Sequence, residues 1–248
     1  MKIIYILWLR QLKKYFRSKS RIIGSIAQPL LFLLAFGFGF GSIYQRAGGG
    51  SYIQFIAPGI IAMSIMFTAV FSGIEIIWDR QFGFLKETLV APVSRMKIMI
   101  GRTLGGGTVA IMQGLIVLVI SIIVGFKPGG LHLILAALVF MALIALFFTA
   151  LGTAIASLLR DMQGFQLIMN FLLMPLFFLS GSLFPLEGLP SALIIAAKVD
   201  PLSYGIDGLR GVLVGGAHFG LVTDFLVLGV ITIITLIIGS YLFSKIEI

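Results

Sequence analysis

Few residues in this chain could do chemistry, and their spacing limits what that chemistry could be. There are nine Asp and Glu, two His and no Cys among 248 residues. Without cysteine there are no disulfides, thiolate ligands or cysteine nucleophiles. His132 and His218 stand far apart, and two isolated histidines make a poor metal site. No HExxH, GxSxG or clustered Asp/His pattern occurs, so the constellation that a membrane enzyme needs is missing. Glu75 is the one acid inside a long apolar run, and a carboxylate at such a position is a functional hypothesis by default. It lies about one turn before Asp79 and Arg80, which makes pairing its first reading and gating or coupling its second. Gln113, Gln166 and Asn170 are neutral polar residues in apolar runs, suited to joining helices by hydrogen bonds or to lining a path. Asp200, Tyr204, Asp207 and Arg210 concentrate polarity in one stretch, and Asp207 and Arg210, three apart, could pair on one helical face. Glu75, Asn170, Asp200, Tyr204, Asp207 and Arg210 are therefore the candidates for a polar path or gate.

The elements that must position these residues are membrane helices. Hydrophobic residues make up 59% of the chain and charged ones 11%, against about a quarter charged in soluble domains. Mean hydropathy is +1.14. A span needs about 20 apolar residues, and six charge-free runs meet that length. They predict helices near 22–43, 53–77, 104–126, 131–157, 164–183 and 222–243. Fourteen Lys and Arg fall on the side of the two termini and four on the other, which places both termini in the cytoplasm. The net charge of +9 is thus a topology signal and argues against a nucleic-acid partner. The expected fold is all-α and integral to the membrane, one domain over 1–248. Its parts are an interfacial helix (1–21), spans one to five (22–183), an external segment (184–220), then span six with its tail (221–248).

Three segments depart from a plain bundle. At the start, Tyr5, Trp8, Leu9, Leu12 and Phe16 share one helical face, and Arg10, Lys13, Lys14 and Arg17 the other. Such a helix lies in the headgroup plane with its basic face towards anionic lipid. Between spans two and three, Trp78, Phe82, Leu85 and Leu89 recur at helical spacing. Gly83 weakens that helix, Pro92 ends it, and Ser94 is placed to cap the next. Between spans five and six, residues 191–199 are apolar but too short to cross. Asp200-Pro201 then starts a second short helix that stops at Gly215-Gly216. The pair is expected to be re-entrant, folded against the outer leaflet.

Two stretches carry a family resemblance. Glu87-Thr88-Leu89-Val90-Ala91-Pro92-Val93-Ser94-Arg95 resembles the loop after span two of type 2 ATP-binding-cassette exporter permeases. Leu179-Ser180-Gly181-Ser182-Leu183-Phe184-Pro185-Leu186-Glu187-Gly188-Leu189-Pro190, followed by Asp200-Pro201-Leu202-Ser203-Tyr204-Gly205-Ile206-Asp207-Gly208-Leu209-Arg210-Gly211, resembles their external element. The drug-exporter and lipo-oligosaccharide-exporter branches look closest. The resemblance implies export of a drug, lipid or lipid-linked glycan from a prokaryotic cell, across its plasma membrane. It implies a permease homodimer working with two copies of a separate ATPase subunit that uses ATP and Mg, with no cofactor or metal on this chain. It also implies that the loop after span two is a cytoplasmic coupling helix, with Arg80, Phe84, Leu85, Glu87 and Thr88 as the coupling residues. The sequence is consistent with that division of labour. Gly101-Arg102-Thr103-Leu104-Gly105-Gly106-Gly107-Thr108 lacks the lysine of a P-loop, and its glycines suit close helix packing. A channel is disfavoured, since no span carries a charge at its middle.

Overall fold

The computed structural model describes residues 2–48, 50–84, 93–130 and 133–246, and among these no strand occurs. The described helices are α1 (Lys2–Arg17), α2 (Lys19–Gly39), α3 (Gly41–Arg46), α4 (Tyr52–Phe71), α5 (Ile74–Gln81) and α6 (Arg95–Val124). They continue with α7 (Leu133–Leu158), α8 (Met162–Leu179), α9 (Ser191–Val199), α10 (Pro201–Leu213) and α11 (Leu221–Ser244). Six stretches are long and apolar enough to cross a membrane: Ile22–Gly39, Tyr52–Gln81, Arg95–Val124, Leu133–Leu158, Met162–Leu179 and Leu221–Ser244.

Two span boundaries differ from expectation. The second span runs on through α5 to Gln81, and the third begins at Arg95, well before 104. Both extensions carry charge, which a hydropathy reading takes as an end. Asp79 and Arg102 neutralise each other across the gap, so the helices continue.

The second span is the centre of the bundle. Of its apolar window 72% is buried, against 17% for Ile22–Gly39, 22% for Met162–Leu179 and 17% for Leu221–Ser244. Residues 56–66 are buried all round, as expected of a helix with no polar face, and α4 packs on α2, α6, α7 and α10. The helix breaks at Ser72-Gly73, where its backbone meets span four. A Cβ at Gly73 would lie 2.5 Å from the carbonyl carbon and oxygen of Gly152. Only glycine against glycine allows that approach.

Helix α1 packs along α6, which revises its expected orientation. A Cβ at Gly105 would lie 2.6 Å from Gln11 Cγ, and one at Gly101 would lie 2.9 Å from Leu7 Cβ. These glycines form a groove that receives α1. Leu7 and Tyr15 are the buried residues, while Tyr5 and Phe16 stay exposed. The Tyr15 hydroxyl donates to Gln113 Oε1 at 2.8 Å, and the Trp8 indole N–H donates to the Thr108 hydroxyl at 3.0 Å. The protein surface therefore satisfies part of the amphipathic pattern.

Both ends of the described chain lie at one end of the bundle. There α1 flanks the start of α6, and the Arg95 guanidinium donates to the carbonyls of Ser244 and Ile246. At the far end, α9 and α10 occupy the stretches read from sequence. Asp200 caps α10 by accepting the Leu202 N–H at 2.8 Å, with Pro201 in the first turn. The Tyr204 hydroxyl donates back to the Lys198 carbonyl at 2.7 Å, which fixes the angle between the two short helices.

Candidate functional site

At the terminal end, three basic side chains converge on two acids of α5. The Arg10 guanidinium donates to Asp79 Oδ1 at 3.1 Å, and Arg102 donates to Asp79 Oδ2. Lys14 reaches Glu75 Oε2 at 3.3 Å. Glu75 and Asp79 are one turn apart, so both face the same way, and both are buried. The expectation that Arg10 and Lys14 turn to lipid is corrected: they hold α1 against α5. The Asp79–Arg102 pair is deeply desolvated, each side chain 5% exposed. Such a pair is held by charge-assisted hydrogen bonds, and losing one partner leaves the other charge uncompensated.

The coupling residues fare unevenly. Leu85, Glu87 and Thr88 lie outside the described residues, as does Leu89. Phe84 is exposed. The helix expected from Trp78 onward is interrupted: Trp78 to Gln81 finish α5, and Gly83 turns the chain at φ +81°. That positive φ suits glycine, and Gly83 follows directly on the end of α5. Arg80 is half-buried and turned to the end of α7. Its guanidinium donates to the Leu159 carbonyl at 3.0 Å and the Ser157 carbonyl at 3.2 Å. A helix end offers unpaired carbonyls and a partial negative charge, and these draw the arginine to α7. Gln81 adds a bond to the Arg160 carbonyl at 3.2 Å.

At the far end the expected Asp207–Arg210 pair does not form. Asp207 accepts the backbone N–H groups of His218 at 2.8 Å and Phe219 at 2.7 Å, donors of the turn before α11 that would otherwise lack partners. Arg210 donates to the Gly181 carbonyl at 2.9 Å and to that of Phe55 at 3.4 Å, with its guanidinium 4.1 Å from the Phe55 ring centre. Burial lowers the Arg210 pKa to about 10, and the charge of Asp207 opposes that fall. Burial also pushes the Asp200 carboxyl up to about 7, against the Leu202 N–H, which favours its ionised form. Asp207 and Arg210 line a cavity of about 460 Å³ with Tyr44, Gln54, Glu187 and His218.

Two further polar surfaces lie between these ends. A cavity of about 260 Å³ is walled by Ser25, Gln28, Ser64 and Thr68, with Tyr15 and Phe71 beside them. Next to it, Lys14, Glu75 and Gln166 line another, of about 480 Å³. On α8, Gln163, Gln166 and Asn170 recur at helical spacing and are exposed. Among the described residues the Asn170 amide has no hydrogen-bond partner. Gln113, by contrast, is fully buried and joins α6 to α1 and α2 through Tyr15 and Ser25.

Sequence reasoning gave little weight to two residues that the structure makes central: Asp79 and Arg102. Asp79 had a signal, since two acids one turn apart amid a basic surplus share a face. Arg102 counted only towards topology.

The sequence pattern that defines the ABC-2 type transporter matches residues 3–214, which is α1 to α10. The chain belongs to the ABC-2 type transporter family. Nodulation protein J of Rhizobium leguminosarum bv. trifolii is 30% identical over 213 residues, covering 85% of this chain and 78% of that one. The putative transport permease ycf38 of Cyanophora paradoxa is 29% identical over 201 residues, covering 78% and 68%. That of Pyropia yezoensis is 31% identical over 216 residues, covering 81% and 70%. In this ABC-2 transporter chain, the matched region holds the whole terminal-end charge cluster and Arg210, and ends before α11.

Proposed function

We propose that the chain is the membrane-spanning permease of an ATP-driven exporter, working as a homodimer with two copies of a separate ATPase that binds ATP and Mg. The observation that carries this reading is the amide face of α8. An amide within a span must be hydrogen-bonded or wet, and Asn170 finds no partner among the described residues. A second copy, or a water-filled path between copies, meets that need. Spans one and five are among the least buried, and the cavity of Gln28, Ser64 and Thr68 opens beside them. The substrate is then hydrophobic or amphipathic: a drug, a lipid or a lipid-linked glycan. Its route passes Glu75 and Asn170 and leaves beneath α9 and α10, with Tyr204 and Arg210 at the exit. Kinship with proteins named transport permeases and with Nodulation protein J supports this class.

The cysteine-free sequence makes the test direct. A single cysteine in place of Asn170 should cross-link two copies in the membrane, and Asn170→Leu should lower ATP-dependent export in reconstituted vesicles. Monomeric protein carrying out full ATP-dependent export would overturn the homodimer. Cysteines at Gly129 and Ala217 should react with an impermeant reagent from outside a prokaryotic cell, since both termini are cytoplasmic and the membrane is the plasma membrane. The segment around Glu87 is the ATPase contact, with Phe84, Leu85 and Thr88. Glu87→Ala should weaken complex formation or raise the ATP consumed per substrate moved. An unchanged complex and unchanged ratio would remove this loop from the mechanism.

A further inference from the structure

The third and sixth spans leave a cleft between them at the terminal end. Met96 and Leu104 mark its ends on α6, Leu236 and Ser244 its ends on α11, and Leu146 of α7 joins them around a cavity of about 640 Å³. Eight residues of helix rise about 12 Å, so the cleft is an elongated slot. Met96, Ile100, Leu104 and Ile237 stand exposed along it. The sixth span is open to its surroundings, with 17% of its apolar window buried. None of the lining residues comes from spans one and five, the faces given above to a second copy.

An apolar slot on an exposed membrane span is filled by hydrocarbon, and its polar end decides which molecule carries that hydrocarbon. Here the polar end is basic. Lys97 and Lys245 are exposed and have no ion pair among the described residues. The Lys245 Nζ lies 4.7 Å from the ring centre of Tyr241, which lines the slot. Arg95 spans the opening through its bonds to the Ser244 and Ile246 carbonyls. Ser94 makes no side-chain cap on α6, so the first N–H groups of that helix stay open, and such groups favour a phosphate. The described stretches 93–130 and 225–246 carry no acid; Glu247 lies outside the described residues. Inside the slot, the Thr103 hydroxyl is buried and bonded to no described residue. A buried hydroxyl needs a partner, which an acyl ester offers and plain hydrocarbon does not.

We infer that this slot binds one anionic phospholipid of the leaflet at the terminal end. An acyl chain lies between α6 and α11, and the phosphate meets Lys97, Lys245 and the start of α6. The lipid then joins the third span to the sixth where Arg95 already ties them.

The full chain in phosphatidylcholine nanodiscs, doped with a phosphatidylglycerol carrying a photoreactive group in its acyl chain, tests this. Illumination should label peptides holding residues 99–104 and 236–240. Unlabelled phosphatidylglycerol should suppress the labelling, and unlabelled phosphatidylcholine should not. Replacing both lysines, Lys97→Gln with Lys245→Gln, should weaken that competition about tenfold, since two charges near the surface are lost. Lys97→Arg with Lys245→Arg should preserve it. Ser240→Phe, which narrows the slot, should reduce labelling of both peptides. Equal competition by the two lipids, or unchanged competition in the glutamine pair, would overturn the anionic site. A disulfide between two copies through Ile237→Cys would give the slot to a second copy and overturn it as well.

Discussion

The two charge clusters solve one physical problem in opposite ways. At the terminal end, acids and bases meet directly: Asp79 takes two guanidinium groups and Glu75 takes a lysine. At the far end the charged groups avoid each other, and backbone satisfies them instead. Asp207 is held by two N–H groups, Asp200 by one, and Arg210 by carbonyls and an aromatic face. At the terminal end Glu75 and Asp79 each find a basic side chain within reach. The far end has only four bases, so its acids draw on unpaired amides of turns and helix ends. The first cluster joins elements distant in sequence through side chains alone, whereas the second works through backbone groups, near in sequence for Asp200 and Asp207 and distant for Arg210.

That contrast can be broken most severely at Asp79. Asp79→Ala strands a buried Arg102, and should cost about 3–5 kcal/mol in unfolding measurements in detergent. Pairing Asp79→Leu with Arg102→Met should recover most of that loss, because apolar replacements of a buried pair are often neutral. A double variant as unstable as Asp79→Ala would show that the charges themselves are needed.

Arg210→Ala should cost about 1.5–3 kcal/mol, the scale of a hydrogen bond to a charged group. It should also reduce export while membrane insertion stays normal. Full transport in that variant would detach the exit from α10. Asp200 sharpens the comparison through pH. Its carboxyl titrates near 7 rather than 3.8, so between those values the folded state holds a proton that the unfolded chain releases. Its contribution is complete below the lower value and is lost as pH rises through about 7. Asp200→Asn keeps an oxygen for the Leu202 N–H and should flatten that part of the pH–stability curve. The smallest effect belongs to Glu75→Gln. Lys14 is 44% exposed, and such pairs contribute about 0–1 kcal/mol. A larger loss of transport than of stability would mark Glu75 as part of the path.

The spans, their number and the two short helices were legible because each rests on local pattern: apolar length, an Asp-Pro start, a Gly-Gly stop. The Gly101–Gly105 groove was legible for a similar reason, as glycine spacing reports close packing. Partner choice was not. Asp207 and Arg210 have the spacing of a pair, yet turn-forming N–H groups and open carbonyls compete for them. Arg80 and Arg10 have the look of outward charges, and only tertiary contact shows their acceptors.

The bonds from Arg80 and Gln81 to the carbonyls of Ser157, Leu159 and Arg160 have a mechanical consequence. They tie the stem of the loop after the second span to the turn that follows span four, so neither can shift without straining the other. The same two spans meet again at Gly73 and Gly152, where backbone touches backbone with no side chain between to take up a displacement.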